Sequence, residues 1–219
     1  MKLKIPQLDA KNPPKIINKK LVNIGEKVVI LNGSIIYPNN YILGNTFIGQ
    51  KCEILPFNFI QDCMIKNNVK IQASTIEKSE INDNCKIGVY AHLREGTKLG
   101  KNCNIGNFCE IKNSTVGDNT KMAHLAYVGD SEIGKNCNIG CGVIFANYDG
   151  NKKNKIIVED NVFIGSNSVL IAPLKISKGT YICANTVVTE NTNVDDFVIG
   201  RVRAIIKSGK GKGRYNPTA

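Results

Sequence analysis

The sequence contains no tryptophan, and only 6% of its 219 residues are aromatic. This excludes a core built around large rings, although 42% of the residues are hydrophobic and the chain is long enough to bury a sizeable core. Small aliphatic side chains must therefore do the packing, and 20 glycines are spread along the chain. Such a composition favours many short strands and tight turns over helices.

Long apolar runs are also missing. No stretch approaches the roughly 18 apolar residues of a membrane span, and the N-terminal segment is too polar for a signal peptide. We therefore expect a soluble, cytoplasmic protein with no membrane partner.

Metal-binding patterns are absent from the sequence. The chain has eight cysteines, but no two of them form the CxxC pair that is typical of zinc sites. Only two histidines are present, whereas a solenoid enzyme with a histidine-ligated catalytic zinc needs three. We expect no metal in the chemistry of this protein.

Negative charge is in short supply. The 29 Lys and Arg residues against 18 Asp and Glu residues give a net charge of +11, which indicates an anionic partner. Nucleic acid and phosphorylated small molecules both satisfy this condition. Part of the excess lies in a glycine-rich C-terminal segment with Lys207, Lys210, Lys212 and Arg214, where a solvated basic tail is the alternative.

What the sequence does contain is a repeat, with an aliphatic residue at nearly every sixth position and some steps of five. Helical periodicity cannot produce this spacing, and hexapeptide repeats are typical of β-helices. Three hexapeptides make a triangular coil of about 18 residues, which predicts an all-β fold of nine to ten coils. The repeat positions are Ile24, Ile30, Ile36, Ile42, Ile48, Ile54, Ile60, Ile65, Ile71, Ile76, Ile81, Ile87, Leu93, Leu99, Ile105, Ile111, Val116, Met122, Val128, Ile133, Ile139, Phe145, Val158, Ile164, Leu170, Ile176, Ile182, Val188 and Val194.

Two other positions keep the same period. Glycine often follows the aliphatic residue, which indicates either a positive φ or a tight corner. Two residues before it lies a small side chain, and six cysteines occupy this slot: Cys52, Cys63, Cys85, Cys103, Cys109 and Cys137. We interpret them as reduced, buried packing residues.

The repeat also divides the chain. Residues 1–23, which include Pro6, Pro13 and Pro14, show no repeat and are predicted to be an N-terminal extension or cap. Residues 24–200 form the β-helix, and residues 201–219 form a basic tail. Within the helix, residues 147–157 break the period, which predicts one inserted loop at a corner, where binding residues often lie.

Four segments carry a more specific signal: GVYAHLREG, GNFCEIKNSTVGDNTKMAHLAYVGDSEIG, NIGCGVIFANYDGNKKNK and FIGSNSVLIAP. Their ordered motifs E-I-K, A-H-L-x-Y, N-I-G and N-Y-D-G resemble the acetyltransferase half of the bifunctional N-acetylglucosamine-1-phosphate uridyltransferase/glucosamine-1-phosphate acetyltransferase family. The resemblance runs from about residue 24 to residue 203. It implies a left-handed parallel β-helix, a homotrimer with sites between subunits, and direct transfer of acetyl from acetyl-CoA to the amine of glucosamine 1-phosphate.

The resemblance also assigns roles to residues. It implies that His124 is the general base and that Asn147 stabilises the oxyanion. It further implies that the sugar phosphate is held by Arg94, Lys112, Tyr127, Asn138 and Lys153, and that acetyl-CoA is held by Cys141, Asn147, Tyr148, Ser166, Ala184 and Arg201. Cys141 departs from the family pattern, which has alanine there. Arg94 and Lys112 each follow a repeat position and are one coil apart, so they should stack on one face.

Other functions stay open at this point. The acceptor could be another amino sugar or a sugar nucleotide, and the charge alone would suit a scaffold or a nucleic-acid binder, although nucleic acid would leave the grouping of His124, Lys112 and Tyr127 unexplained. The glycine-rich nucleotide loop of a uridyltransferase is missing from this sequence. A stand-alone enzyme, an expressed fragment and a chain with a separate uridyltransferase partner all fit this difference.

Overall fold

The computed structural model describes residues 12–208 and 210. The first half of the expected extension, with Pro6, and part of the basic tail, with Lys212 and Arg214, lie outside the described residues. The described part forms 30 short strands and a single 3-10 turn at Lys19–Leu21.

The strands of the first half, in chain order, are β1 (Lys15–Ile16), β2 (Val22–Ile24), β3 (Val29–Ile30), β4 (Ile35–Ile36), β5 (Asn40–Leu43), β6 (Phe47–Ile48), β7 (Glu53–Ile54), β8 (Phe59–Gln61), β9 (Met64–Ile65), β10 (Lys70–Ile71), β11 (Thr75–Glu77), β12 (Glu80–Ile81), β13 (Lys86–Ile87), β14 (His92–Leu93) and β15 (Lys98–Leu99). Those of the second half are β16 (Asn104–Asn107), β17 (Glu110–Lys112), β18 (Thr115–Val116), β19 (Lys121–His124), β20 (Tyr127–Gly129), β21 (Ser131–Ile133), β22 (Asn138–Ile139), β23 (Ile144–Ala146), β24 (Ile156–Val158), β25 (Phe163–Ile164), β26 (Val169–Ile171), β27 (Leu174–Ile176), β28 (Tyr181–Ile182), β29 (Val187–Val188) and β30 (Phe197–Val198).

Each strand pairs in parallel with a strand one coil away, which gives three sheets of 11, 10 and 9 strands. We call them face A (β1 to β30), face B (β2 to β29) and face C (β3 to β27), and the chain turns the A–B, B–C and C–A corners in succession. The predicted left-handed parallel β-helix of about ten coils is confirmed. No helix in the described chain is long and apolar enough to span a membrane.

The period of the sequence is the period of the core. Every repeat position from Ile36 to Val188 is buried, and partners such as Ile60, Ile76 and Leu93 stack in register. Burying one such side chain contributes about 1.5–3 kcal/mol. Since each coil covers only its neighbours, the stack has ends. At the first end, β1 already pairs with β4, ahead of the expected boundary at residue 24.

At the other end, one repeat position was predicted wrongly. Val194 is 61% exposed, and face C has no strand between β29 and β30. Thr192 lies there instead, because its Oγ1 accepts a hydrogen bond from the Ser177 amide at 2.8 Å and its carbonyl oxygen accepts one from the Ser177 hydroxyl at 2.7 Å. Polar pairing has replaced aliphatic stacking in this last coil.

The cysteine slot is a packing slot, as predicted. All six cysteines are buried and free, and burial raises the pKa of the Cys52, Cys63 and Cys109 thiols to about 11. Thiols with such a high pKa are poor nucleophiles. Cys141 is the exposed one among the described residues.

Most of the glycines that follow the repeat positions are explained by close approach to the next coil. The alternative of a positive φ is wrong, because none of them has one. A Cβ on Gly106, for example, would overlap the backbone of Ala123 in the next coil. The tight-corner alternative therefore accounts for this slot.

Candidate active site

The outer surface of face B carries two columns of side chains. Leu93, Ile111 and Val128 are successive partners in β14, β17 and β20. Arg94 and Lys112 each follow one of these core residues, so they project from neighbouring coils of the same face, and Lys112 is in register with Gly129. The other column contains Glu110 and Tyr127, which are direct partners.

Cations dominate this surface. The Arg94 guanidinium donates to the Glu110 carboxylate at 2.8 Å, and this partner raises the pKa of Arg94. Lys112 is different, because the neighbouring Lys153 ammonium lowers its pKa, with a further contribution from Arg94. Like charges this close repel one another, so an anion placed among them would be bound favourably.

Lys153 reaches this point on the inserted loop. The loop spans residues 147–155, slightly shorter than the expected 147–157, because residues 156 and 157 already belong to β24. Tyr148 and Lys153 form an antiparallel bridge across it. The Asp149 carboxylate accepts the amides of Asn151 and Lys152, both at 2.8 Å, and these hydrogen bonds lower its pKa to about 2. The Asp149 side chain therefore fixes the conformation of the loop.

Asn147 enters the loop as a buried residue, 6% exposed. Its Nδ2 donates to Asp130 Oδ2 at 2.5 Å, and Asp130 also accepts from Asn113 Nδ2 at 2.7 Å. The Tyr127 hydroxyl and the Asn147 amide nitrogen both lie over Gly129, where any Cβ would overlap them. Because Gly129 has no side chain, the Tyr127 hydroxyl and the Asn147 amide can both lie against its backbone.

A second group of predicted residues lies along the A–B corner. His124, Cys141, Ser166 and Ala184 each precede the corner residue of successive coils, and all four are exposed. The amides of Asn167 and Asn185 donate to the carbonyl oxygens of Cys141 and Ser166, both at 2.8 Å. Arg201 Nη1 donates to the Ala184 carbonyl at 3.1 Å. We call His124, Cys141, Ser166, Ala184 and Arg201 the corner row.

Face B and the corner row adjoin, but Arg94 and Lys112 line one surface cavity and His124 lines another. His124 and Tyr127 are three residues apart around the A–B corner. Asn138 lies on face A, paired with Lys121 on one side and Phe163 on the other. Tyr148 is exposed on the loop, where its hydroxyl donates to the Gly150 carbonyl at 2.5 Å. The predicted residues therefore occupy three adjoining surfaces.

Sequence reasoning missed the residues that hold the others in place. Asp130 fixes Asn147 and Glu110 pairs with Arg94. Both lie inside the quoted motifs, as E-I-K and as the Asp that follows Gly129, so the signal was in the sequence. In the chain from residue 12 to residue 208, with residue 210, no cluster of three His, Cys, Asp or Glu side chains is placed to hold a metal ion.

Comparisons with known proteins agree with the repeat. The bacterial transferase hexapeptide family (six repeats) matches residues 78–113, and the hexapeptide repeat of succinyl-transferase matches residues 155–190. The bifunctional protein GlmU of Thermodesulfovibrio yellowstonii is 53% identical over 182 residues, which cover 83% of this chain and 40% of the relative. GlmU of Thermotoga maritima is 47% identical over 194 residues, which cover 89% and 44%.

The chain thus spans less than half the length of these curated relatives. Among solved structures, the UDP-N-acetylglucosamine acyltransferase of Francisella novicida aligns over 93% of this chain and 75% of its own, with 17% identity and a TM-score of 0.41.

Proposed function

Because this chain belongs to the hexapeptide-repeat transferases and is homologous over most of its length to bifunctional GlmU proteins, we propose that it transfers acetyl from acetyl-CoA to the amino group of glucosamine 1-phosphate. The observation that carries the proposal is the convergence of Arg94, Lys112 and Lys153 on one face, beside Tyr127 and around the corner from His124.

The phosphate of the sugar substrate is the anion that binds to these cations. A phosphate monoester carries close to two negative charges at neutral pH and accepts charge-assisted hydrogen bonds. Lys112 and Lys153 bind it as two ammonium groups whose mutual repulsion it relieves. Arg94, oriented by Glu110, and the Tyr127 hydroxyl complete the phosphate side, while Asn138 binds a sugar hydroxyl.

Acetyl transfer then follows by direct attack. The amine nitrogen bonds to the thioester carbonyl carbon, the carbon–sulfur bond breaks, and coenzyme A leaves as a thiolate that takes up a proton. His124 accepts the proton that the amine loses, since an imidazole can do so near neutral pH. Asn147 has one amide hydrogen committed to Asp130 and uses the other toward the developing oxyanion. The corner row holds the donor.

A second copy of the chain closes the site. Tyr90, Phe108 and Leu125 lie in successive coils at the A–B corner and are 64%, 57% and 59% exposed, and the first two rings stack at 5.5 Å. This apolar stripe, which runs up to the residue beside His124, is a surface that a neighbouring chain would cover. We therefore place the working site between subunits of a homotrimer.

The decisive experiment measures thiol release from acetyl-CoA with three acceptors: glucosamine 1-phosphate, glucosamine 6-phosphate and a UDP-linked amino sugar. The proposal expects turnover with the first to exceed the other two by at least tenfold. Preference for the UDP-linked sugar would establish the alternative, acetylation of a sugar nucleotide. Absence of thiol release with all three, together with salt-sensitive binding to random-sequence DNA, would support a nucleic-acid binder instead.

A further inference from the structure

The outer column of face A changes character along the solenoid. From β7 to β22 it carries charged or amide residues: Glu53, Lys70, Lys86, Asn104, Lys121 and Asn138. In the last three coils, β25, β28 and β30 place Phe163, Tyr181 and Phe197 in register in the same column. We call these three residues the aromatic ladder.

The rings of the ladder stack nearly parallel. The centroids of Phe163 and Tyr181 are 4.6 Å apart with an interplanar angle of 9°, and those of Tyr181 and Phe197 are 5.5 Å apart at 10°. Tyr181 therefore covers one face of Phe197. In the described part of the chain no strand pairs beyond β30, and Phe197 is 67% exposed, against 37% and 44% for the other two.

Capping the end of the solenoid does not by itself require this arrangement. Face C, in the coils next to its end, carries Ile157 and Lys175 at its outer column and no ring. In these last coils the rings of the outer columns are confined to face A, where they follow Asn138 directly. A flat, partly exposed ring surface at one place suggests a flat ligand.

The corner row runs beside the ladder. Ser166 and Ala184 are each three residues beyond a ladder ring, and Arg201 is four residues beyond Phe197. Three residues of extended chain span about 10 Å. Coils are about 4.8 Å apart, so the row rises about 14 Å from Cys141 to Arg201. A donor that begins at His124 and follows this row reaches the level of Phe197 at its far end.

The charges at that end suit a phosphorylated ligand. Arg201 and Arg203 are both exposed there. A nucleotide that bears phosphates and a purine base presents both complements together: anions for the guanidinium groups and a π surface for the ring.

We propose that Phe197, held in orientation by Tyr181 and Phe163, is the stacking platform for the adenine base of acetyl-CoA, while Arg201 meets its phosphates. This inference rests on the proposed function. The ladder selects the nucleotide end of the donor and takes no part in the acetyl chemistry at His124.

The test is calorimetric binding of three ligands: coenzyme A, adenosine 3′,5′-bisphosphate and S-acetyl-pantetheine, which lacks the nucleotide. Phe197→Ala should weaken the first two about tenfold and leave the third unchanged. Phe197→Leu keeps an apolar side chain at the end of the solenoid but removes the flat ring, so it should show the same loss with an unchanged unfolding midpoint. Tyr41→Ala alters another exposed aromatic, on face B near the other end and 53% exposed, and this matched control should bind like the wild type.

The outcomes separate the two proposals. If the wild type binds no coenzyme A, the proposed function fails and the inference with it. If the wild type binds coenzyme A but Phe197→Leu binds both nucleotides equally well, the ladder is only a cap and this inference alone is wrong. Unchanged binding together with a smaller sedimentation coefficient in Phe197→Leu would show that a second copy of the chain covers the ladder, which also overturns the inference.

Discussion

Two corners of the solenoid have the same backbone but different side chains. At the C–A corner, Asn84, Asn102, Asn119, Asn136 and Asn161 adopt a positive φ and form a ladder of side-chain hydrogen bonds of 3.0–3.1 Å. At the A–B corner, three successive left-handed positions in the middle coils hold the exposed Tyr90, Phe108 and Leu125, whereas asparagine stands at Asn39, Asn167 and Asn185 in the outer coils.

Asparagine adopts this conformation at little cost, whereas a bulky apolar residue pays about 1–2 kcal/mol. The fold alone would therefore favour asparagine at both corners. Strained residues of this kind gather at functional sites. We infer that folding accounts for the C–A corner, while the middle of the A–B corner, beside His124, meets a second, functional requirement.

The largest effect is expected from His124, which precedes the A–B corner position Leu125. His124→Asn should lower kcat about 10²- to 10⁴-fold, because it removes the proposed general base. Lys135→Asn alters the matching position at the C–A corner, beside Asn136, and should leave kcat unchanged. Thiol release from acetyl-CoA with glucosamine 1-phosphate measures both. Equal activity of the two variants would remove the functional distinction between the corners.

The next effect concerns the cations beside the A–B corner. Lys112→Met should raise KM for the sugar phosphate about tenfold, since one charge-assisted contact is lost. Because Lys153 lowers the pKa of Lys112, its charge is present below that pKa and is lost as pH rises through it, sooner than for an ordinary lysine. KM should therefore increase at alkaline pH, and Lys112→Arg should flatten this rise. Lys98→Met, on face C, is the control, and a pH profile that Lys112→Arg leaves unchanged would contradict the assignment.

Exchanging the corner residues tests the comparison directly. Phe108→Asn should relieve left-handed strain and keep or raise the unfolding midpoint, yet lower activity severalfold and weaken assembly, because it interrupts the apolar stripe. Sedimentation velocity and thermal unfolding on the same samples measure this. If the variant loses stability but keeps its assembly, the ring serves folding and the stripe is not an interface.

The smallest effect is expected at the C–A corner. Asn119 donates to Asn136 and accepts from Asn102, so Asn119→Ala removes two exposed amide contacts and places alanine at a positive φ. We expect a loss of about 1–2 kcal/mol in unfolding free energy with kcat unchanged, measured by denaturant unfolding and thiol release. Any loss of kcat beyond twofold would mean that this corner, too, acts in function.

The sequence was sufficient to predict the inward-facing half of this molecule. Burial imposes one rule on every coil, so the positions from Ile36 to Val188 and the six cysteines were predictable from spacing alone. Val194 departs from the rule because β27 is the last strand of face C in the described chain, and the segment that follows is held beside it by the hydrogen bonds between Thr192 and Ser177.

Outward-facing residues follow no common rule, so the spacing of the repeat could not distinguish functional residues from other exposed ones. The grouping of Lys112 and Lys153 depends on a loop whose shape is fixed by Asp149, and the position of Asn147 depends on Asp130. The aromatic ladder was visible as rings about one coil apart, but only the register shows that they stack. Motif resemblance named the candidate residues, and the roles of these residues stay predictions.

The residues of the corner row are evenly spaced, one in each coil. His124 and Arg201 are separated by four coils, each adding about 4.8 Å, and no smaller increment exists in a solenoid. A molecule that touches both ends must therefore match a length counted in whole coils. Duplicating the coil that contains Ser166 would increase the distance between His124 and Arg201 by about 4.8 Å. Insertions and deletions of coils can therefore change this distance only in such steps, and smaller adjustments must come from the side chains.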